Sequence, residues 1–176
     1  MAELSDPKPL SEKADVIYQE GDFENAARVY GEAASAFQAQ GDAAAAAEMK
    51  NNQSVAFLQA GNAQLAYDVV AGTAEVFAAA ADTRRQGIAL ANEATALQSL
   101  GRFDEALEKY LQAADVFQQA GEDQPRASVM QAVAWIHLRR GKILEALMDM
   151  QVGLADVKNP TFKQKIMRGL LRLRIW

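Results

Sequence analysis

Small and large apolar positions along this chain recur together with a period of 40 residues. Gly21, Gly61, Gly101 and Gly141 mark the period and open the segments GDFENA, GNAQLA, GRFDEA and GKILEA. In register behind them stand Ala26, Ala66, Ala106 and Ala146, then Tyr30, Val70, Tyr110 and Met150, then Phe37, Phe77, Phe117 and Val157. Upstream of each glycine, a small residue (Ala14, Ser54, Ala94, Ala134) precedes a larger one (Ile17, Phe57, Leu97, His137) by three positions. A second punctuation falls halfway between the glycines, at Gly41-Asp42, Ala81-Asp82, Gly121-Glu122 and Asn159-Pro160. Spacings of three, four and seven place these residues on one helical face. Each unit therefore predicts two helices of about four turns. Glycine ends them because it adopts the left-handed conformation without steric cost. Asp42, Asp82 and Asp123 are expected to cap the helices that follow. The units run over about 10–41, 42–81, 82–121 and 122–160, after a tail at 1–9. Alanine lets paired helices approach, and the next aromatic fills the space between pairs. One pair cannot bury its own apolar face, so stacking supplies the core.

The series Leu90, Ala94, Leu97, Gly101, Phe103, Ala106, Tyr110, Ala113 resembles the tetratricopeptide repeat, W-x2-L-G-x2-Y…A-x3-F. Ala14, Gly21, Phe23, Ala26, Tyr30 and Ala33 form a second good copy. The second and fourth copies depart from it, with Thr73 and Gly153 for the later alanine and Val70 and Met150 for the aromatic. The long period is similar to the longer-helix variant of the family, and the resemblance covers residues 10–160. It implies an all-α, right-handed solenoid of four helix pairs whose first helices line a concave groove. Transferred by register, the groove residues are Glu12, Asp15, Tyr18 and Gln19, then Asn51, Asn52, Val55, Leu58 and Gln59. The third pair offers Ile88, Asn92, Thr95 and Gln98, and the fourth Gln131, Trp135, Leu138 and Arg139. Asn52 and Asn92 are equivalent positions one period apart, and in peptide-binding relatives an asparagine here bonds the backbone of an extended peptide. A carboxamide suits that role because it offers both a donor and an acceptor. Val55, Leu58, Trp135 and Leu138 would add an apolar strip. The expected peptide contacts are thus Asn51, Asn52, Val55, Leu58, Asn92, Thr95, Trp135 and Leu138. The Lys/Arg clamp by which some relatives grip a terminal carboxylate is replaced here by Ser11, Asp15, Ile88 and Asn92.

Composition narrows the chemistry. Of the 176 residues 36 are alanine, which explains a hydrophobic fraction of 50% without a large aliphatic core. There is no cysteine, and the one histidine, His137, sits at a core-register position where a packed or hydrogen-bonded role is expected. Neither a metal site nor a catalytic triad is expected, and no cofactor. No glycine loop cradles phosphate, the glycines being assigned to turns. The carboxylate pairs Asp104-Glu105 and Glu122-Asp123 fall at helix starts, where they complement the helix dipole. Arg84-Arg85 and Arg139-Arg140 read as solvated charges. The opening MAELSDPKPL lacks the pattern of a secretion signal, so a cytoplasmic location is expected.

The net charge of −5 is unevenly placed: residues 161–176 carry five basic side chains and no acidic one, whereas the preceding body is acidic and should repel nucleic acid. TFKQKIMRGLLRLRIW reads as a cationic amphipathic helix capped by Thr161, with Phe162, Ile166, Leu170 and Leu173 on one face, widened by Met167 and Leu171. Lys165, Arg168 and Arg172 fall opposite. Three roles are open for it. It caps the solenoid as a started fifth repeat, with Leu170 and Leu173 matching Met130 and Val133 although Arg174 stands where Ala134 would. It lies on an anionic membrane, with Trp176 at the boundary. Or it docks into the acidic groove of a second copy, giving a homo-oligomer. The expected function is a non-enzymatic scaffold or adaptor that holds a peptide or helix of a protein partner in the groove, with a peripheral membrane-associated assembly factor as the alternative.

Overall fold

A computed structural model describes residues 7–172, with the side chain of Arg172 excepted, and all regular structure among them is helical. The elements are α1 (Pro7–Gln19), α2 (Phe23–Ala39), α3 (Ala43–Gln59), α4 (Ala63–Val70), α5 (Thr73–Ala79), α6 (Thr83–Ser99), α7 (Phe103–Gln119), α8 (Asp123–Arg139), α9 (Ile143–Ala155) and α10 (Phe162–Arg172). They stack in sequence as four pairs, α1/α2, α3/α4–α5, α6/α7 and α8/α9, with α10 beside α9. Among the described residues, no helix is long and apolar enough to cross a membrane.

From α1 to α8 the helix ends follow the glycine rule with one exception. Gly21, Gly41, Gly61, Gly101, Gly121 and Gly141 all have positive φ, and at the equivalent turn Ala81 is held at φ 55°. Asp22, Asp42 and Asp82 cap α2, α3 and α6 by accepting from the amides of Asn25, Ala45 and Arg85 at 3.3, 2.9 and 2.9 Å. For Asp82 the amide of Arg85, then its side chain, hold the carboxyl below the usual range. The expected cap at Asp123 is not made. The 40-residue register puts the cap on Glu122, whose longer side chain makes no capping bond, and Asp123 is the first residue of α8.

The second helix of the second pair is broken rather than continuous. Gly72 has φ 83° and separates the eight-residue α4 from the seven-residue α5. Thr73 stands where other pairs have Ala33 and Ala113, and its hydroxyl donates to the Val70 carbonyl at 2.8 Å. Nor do all glycines sit in turns: Gly31, Gly87, Gly153 and Gly169 lie inside α2, α6, α9 and α10. Two of these are packing requirements. A methyl at Gly87 would stand 2.7 Å from the Phe117 ring, and one at Gly153 would stand 2.6 Å from Cβ of Met130. Gly153, a departure from the repeat pattern, therefore makes room for Met130.

Ala14, Ala26, Ala66, Ala94, Ala106, Ala134 and Ala146 are fully buried at helix crossings, where a small side chain allows close approach. Tyr30, Phe77, Tyr110 and Phe117 fill the space beside them. The core has two parts, one of α1–α3 centred on Tyr30 and one running from α3 to α8 around Phe77, Leu97, Tyr110 and Phe117. The arginines expected to be merely solvated instead pair across repeats: Arg85 with Glu48 at 2.9 Å, Arg84 with Glu122 at 3.2 Å and Arg140 with Asp104 at 2.7 Å. Each pair has a partner that is largely exposed, so the contribution to stability is about 0–1 kcal/mol apiece.

Three outcomes in thermal or denaturant unfolding test this packing. Ala81→Gly is expected to stabilise by about 0.5–1 kcal/mol, because relief of left-handed strain outweighs the added unfolded-state entropy. Tyr110→Ala is expected to cost about 3–5 kcal/mol through the cavity it leaves, and Ala106→Leu to destabilise through overpacking. Unchanged melting in both of the latter would show the register to be wrong.

Candidate partner-binding groove

The first helices α1, α3, α6 and α8 carry the groove positions, and two of those positions are tied to the second helices behind them. The Tyr30 hydroxyl donates to Oδ1 of Asp15 at 2.6 Å, and two periods later the Tyr110 hydroxyl lies 3.0 Å from Oγ1 of Thr95. Burial, then the neighbouring Asp15 carboxylate, pushes the Tyr30 phenol far above its ordinary range, and burial also raises Tyr110. In the other two pairs the phenol is absent, and the matching positions are apolar on both sides: Val55 with Val70, and Trp135 with Met150. Losing the tyrosine thus goes with losing the polar groove residue that would satisfy its hydroxyl.

Asn51 does not present itself to the groove. It is 5% exposed, its amide donates to the Ala47 carbonyl at 2.9 Å and to Oγ1 of Thr73 at 3.1 Å, and its Oδ1 accepts from Nδ2 of Asn92 at 3.1 Å. It is a strut joining α3, α5 and α6. Asn92 is half-buried and committed to that strut through one amide hydrogen, while Asn52 is half-buried with no side-chain hydrogen bond among the described residues. The two equivalent asparagines therefore differ in availability. The signal was Thr73, whose hydroxyl in an alanine position calls for a buried polar neighbour.

Trp135 and Leu138 remain 43% and 44% exposed and line a cavity of about 290 Å³ together with Gln131, Met150, Leu154, Lys163, Gln164 and Met167. The indole is steadied from behind, its centroid 6.2 Å from that of Phe103, and the Arg139 guanidinium lies 5.2 Å and 5.4 Å from the Phe103 and Trp135 centroids. Val55 and Leu58 are half-buried and line none of the described cavities, so the apolar surface gathers at the fourth pair instead of running as a strip along the groove. Met150, Leu154, Lys163, Gln164 and Met167 were missed because their meeting depends on where α10 settles. His137 is hydrogen-bonded, its Nδ1 2.6 Å from Oδ2 of Asp149. Among the described residues, no group of three or more His, Cys, Asp or Glu could hold a metal ion.

The position of α10 differs from the register expectation. Thr161 and Gln164 form a reciprocal cap, the Gln164 amide donating to Oγ1 of Thr161 at 3.3 Å and the Thr161 amide to Oε1 of Gln164 at 2.8 Å. Gln164 also reaches Gln124, one period earlier, at 3.1 Å. The helix is then turned so that Gln164, Met167, Arg168 and Leu171 face inward, while Phe162, Ile166 and Leu170 are 77%, 49% and 58% exposed. Leu170 does not take the buried place of Met130. Arg168 supplies the reason: its guanidinium donates to the carbonyls of Leu154, Ala155 and Val157 at and just beyond the end of α9, where helical amides no longer follow. The parts assigned to Leu173, Arg174 and Trp176 lie outside the described residues.

Residues 85–156 match the family model of the tetratricopeptide repeat. Among solved structures, the chain is similar to BtubC (BKLC) from P. vanneervenii, at 20% identity and a TM-score of 0.76 over 93% of this chain and 70% of that one. It is also similar to the nearly identical TPR-like repeats assigned to a kinesin light chain of Podosopora anserina, at 15% identity and a TM-score of 0.75 over 97% and 87%. At these identities the likeness is one of fold. No curated protein matches the chain.

The strut makes a measurable distinction. Asn51→Ala is expected to destabilise by about 1–3 kcal/mol, because it strands buried hydrogen-bonding groups, and Asn92→Ala by less than about 1 kcal/mol. Equal losses in chemical denaturation would place the two side chains in the same environment and contradict the arrangement.

Proposed function

We propose that this chain, an array of tetratricopeptide-like repeats, is a non-catalytic adaptor that holds a peptide or amphipathic helix of a partner protein at the fourth-pair end of its groove. Such repeats generally mediate protein–protein interactions. The observation that carries the finer reading is the apolar cavity under Trp135 and Leu138. An exposed tryptophan braced by Phe103 and Arg139, beside Met150 and Met167, offers a rigid anchor site with flexible walls. Lys163 at its edge favours a ligand with a carboxylate next to its apolar anchors. Asn52, without a hydrogen-bond partner among the described residues, would bond the peptide backbone. The other pairs offer less: Asp15 and Thr95 hold tyrosines, and Asn51 is a strut.

Selection of displayed peptides on the full chain, followed by affinity measurement with variants, tests this reading. Trp135→Ala and Leu138→Ala are each expected to weaken a selected peptide about tenfold or more. Asn52→Ala is expected to cost about two- to tenfold. Peptides that bind all three variants as tightly as the wild type would place the contact elsewhere and refute the site.

A further inference from the structure

The outward row of the second helices is polar in three pairs and apolar in the fourth. Three, seven and eleven residues beyond the turn glycine, α2 holds Glu24, Arg28 and Glu32, and α7 holds Asp104, Glu108 and Gln112. In the second pair the row begins Gln64 and Asp68. In α9 the same three solvent-facing positions are Leu144, Met148 and Val152, exposed by 74%, 65% and 44%. Core packing does not ask for these side chains, because the equivalent positions are exposed in every pair. The neighbouring helix adds a second bare stripe, Phe162, Ile166 and Leu170, held outward because Arg168 anchors the opposite face of α10 to the end of α9. Helical spacing puts Lys163 on one flank of that stripe and Lys165 on the other. Among the described residues, neither lysine is in an ion pair.

Charge follows the same division. Residues 1–139 carry 20 acidic and 10 basic side chains, whereas residues 140–176 carry 3 acidic and 8 basic. Of those three acids, Asp149 is bonded to His137 and Asp156 to Arg126. One end of an acidic rod is thus cationic, and that end bears the bare apolar rows.

We propose that this end docks onto an anionic lipid surface, with the α10 stripe and the α9 row entering the headgroup boundary and the lysines reaching sideways to the lipid phosphates. Apolar residues flanked by lysines on one helix have the form of an interfacial helix, in which stems bury and charged heads stay wet. Anionic headgroups complement the local positive charge. A partner helix fits less well, since helix recognition uses a groove, whereas these rows stand on the outward faces of two helices. Symmetric pairing of two such ends would set like charges face to face. The surface is separate from the groove cavity except at Lys163, so either site can fail without the other.

Co-sedimentation of the full chain with phosphatidylcholine vesicles, with and without about a third phosphatidylserine, tests the proposal. The chain is expected to pellet with the anionic vesicles at low salt, to be released by high salt, and to remain in solution with phosphatidylcholine alone. Ile166→Asp/Leu170→Asp and Leu144→Gln/Met148→Gln are each expected to lower partitioning by about tenfold while the thermal melt stays unchanged. Should an apolar variant lose its fold, Lys165→Glu, at an exposed position, decides the matter by the same readout. Failure to pellet, equal pelleting with both vesicle types, or unchanged binding by folded variants would overturn the idea. So would a dimer seen in sedimentation velocity that the α10 variant abolishes while no vesicle binding is found.

Discussion

Each helix in the middle of this array has to bury two faces, one against its own partner and one against the next pair. Helix axes come close enough for that only where the side chain between them is nearly absent. The fully buried Ala26, Ala66, Ala106 and Ala146 meet the condition in every pair, as do Ala14, Ala94 and Ala134 on the first helices. Where a neighbour is larger the requirement tightens to glycine, as Gly87 does for Phe117 and Gly153 for Met130. The turn glycines and aspartate caps then set the helix length to match. Stacking follows from these small residues, and the groove, the end surface and the inter-repeat arginines all depend on the stacking.

The chemistry of the groove comes from what the second helices place behind it. A tyrosine at the packing position demands a polar partner on the groove helix, so Asp15 and Thr95 serve Tyr30 and Tyr110 before they can serve a ligand. Replacing the tyrosine by Met150 frees that demand and allows Trp135. These positions therefore alternate along the stack, polar and self-satisfied in the first and third pairs and apolar in the second and fourth.

Helix positions, turn residues and the buried alanines were legible because a 40-residue period repeats each local signal four times. What failed was whatever happens once. The break at Gly72 has no counterpart in other pairs, so Asn51 and Asn92, which form a strut with Thr73 beside it, were read as groove surface. The cap at Glu122 was misplaced by one residue, because an aspartate beside it looked like the better cap. The rotation of α10 turned on competition between an apolar stripe and the open carbonyls at the end of α9, and hydrophobic periodicity weighs only the first. Trp135 and Leu138 were found by register, but the residues that make a cavity with them come from α9 and α10, whose meeting no register describes.

The interruption at Gly72 has a thermodynamic meaning beyond its geometry. It leaves α4 and α5 with about two turns each, too short to hold as helices without the packing around them. Their order therefore depends on packing against α3 and α6 and on the Asn51–Thr73 bond. Amides of α4 and α5 are therefore expected to exchange through local opening before those of the longer helices.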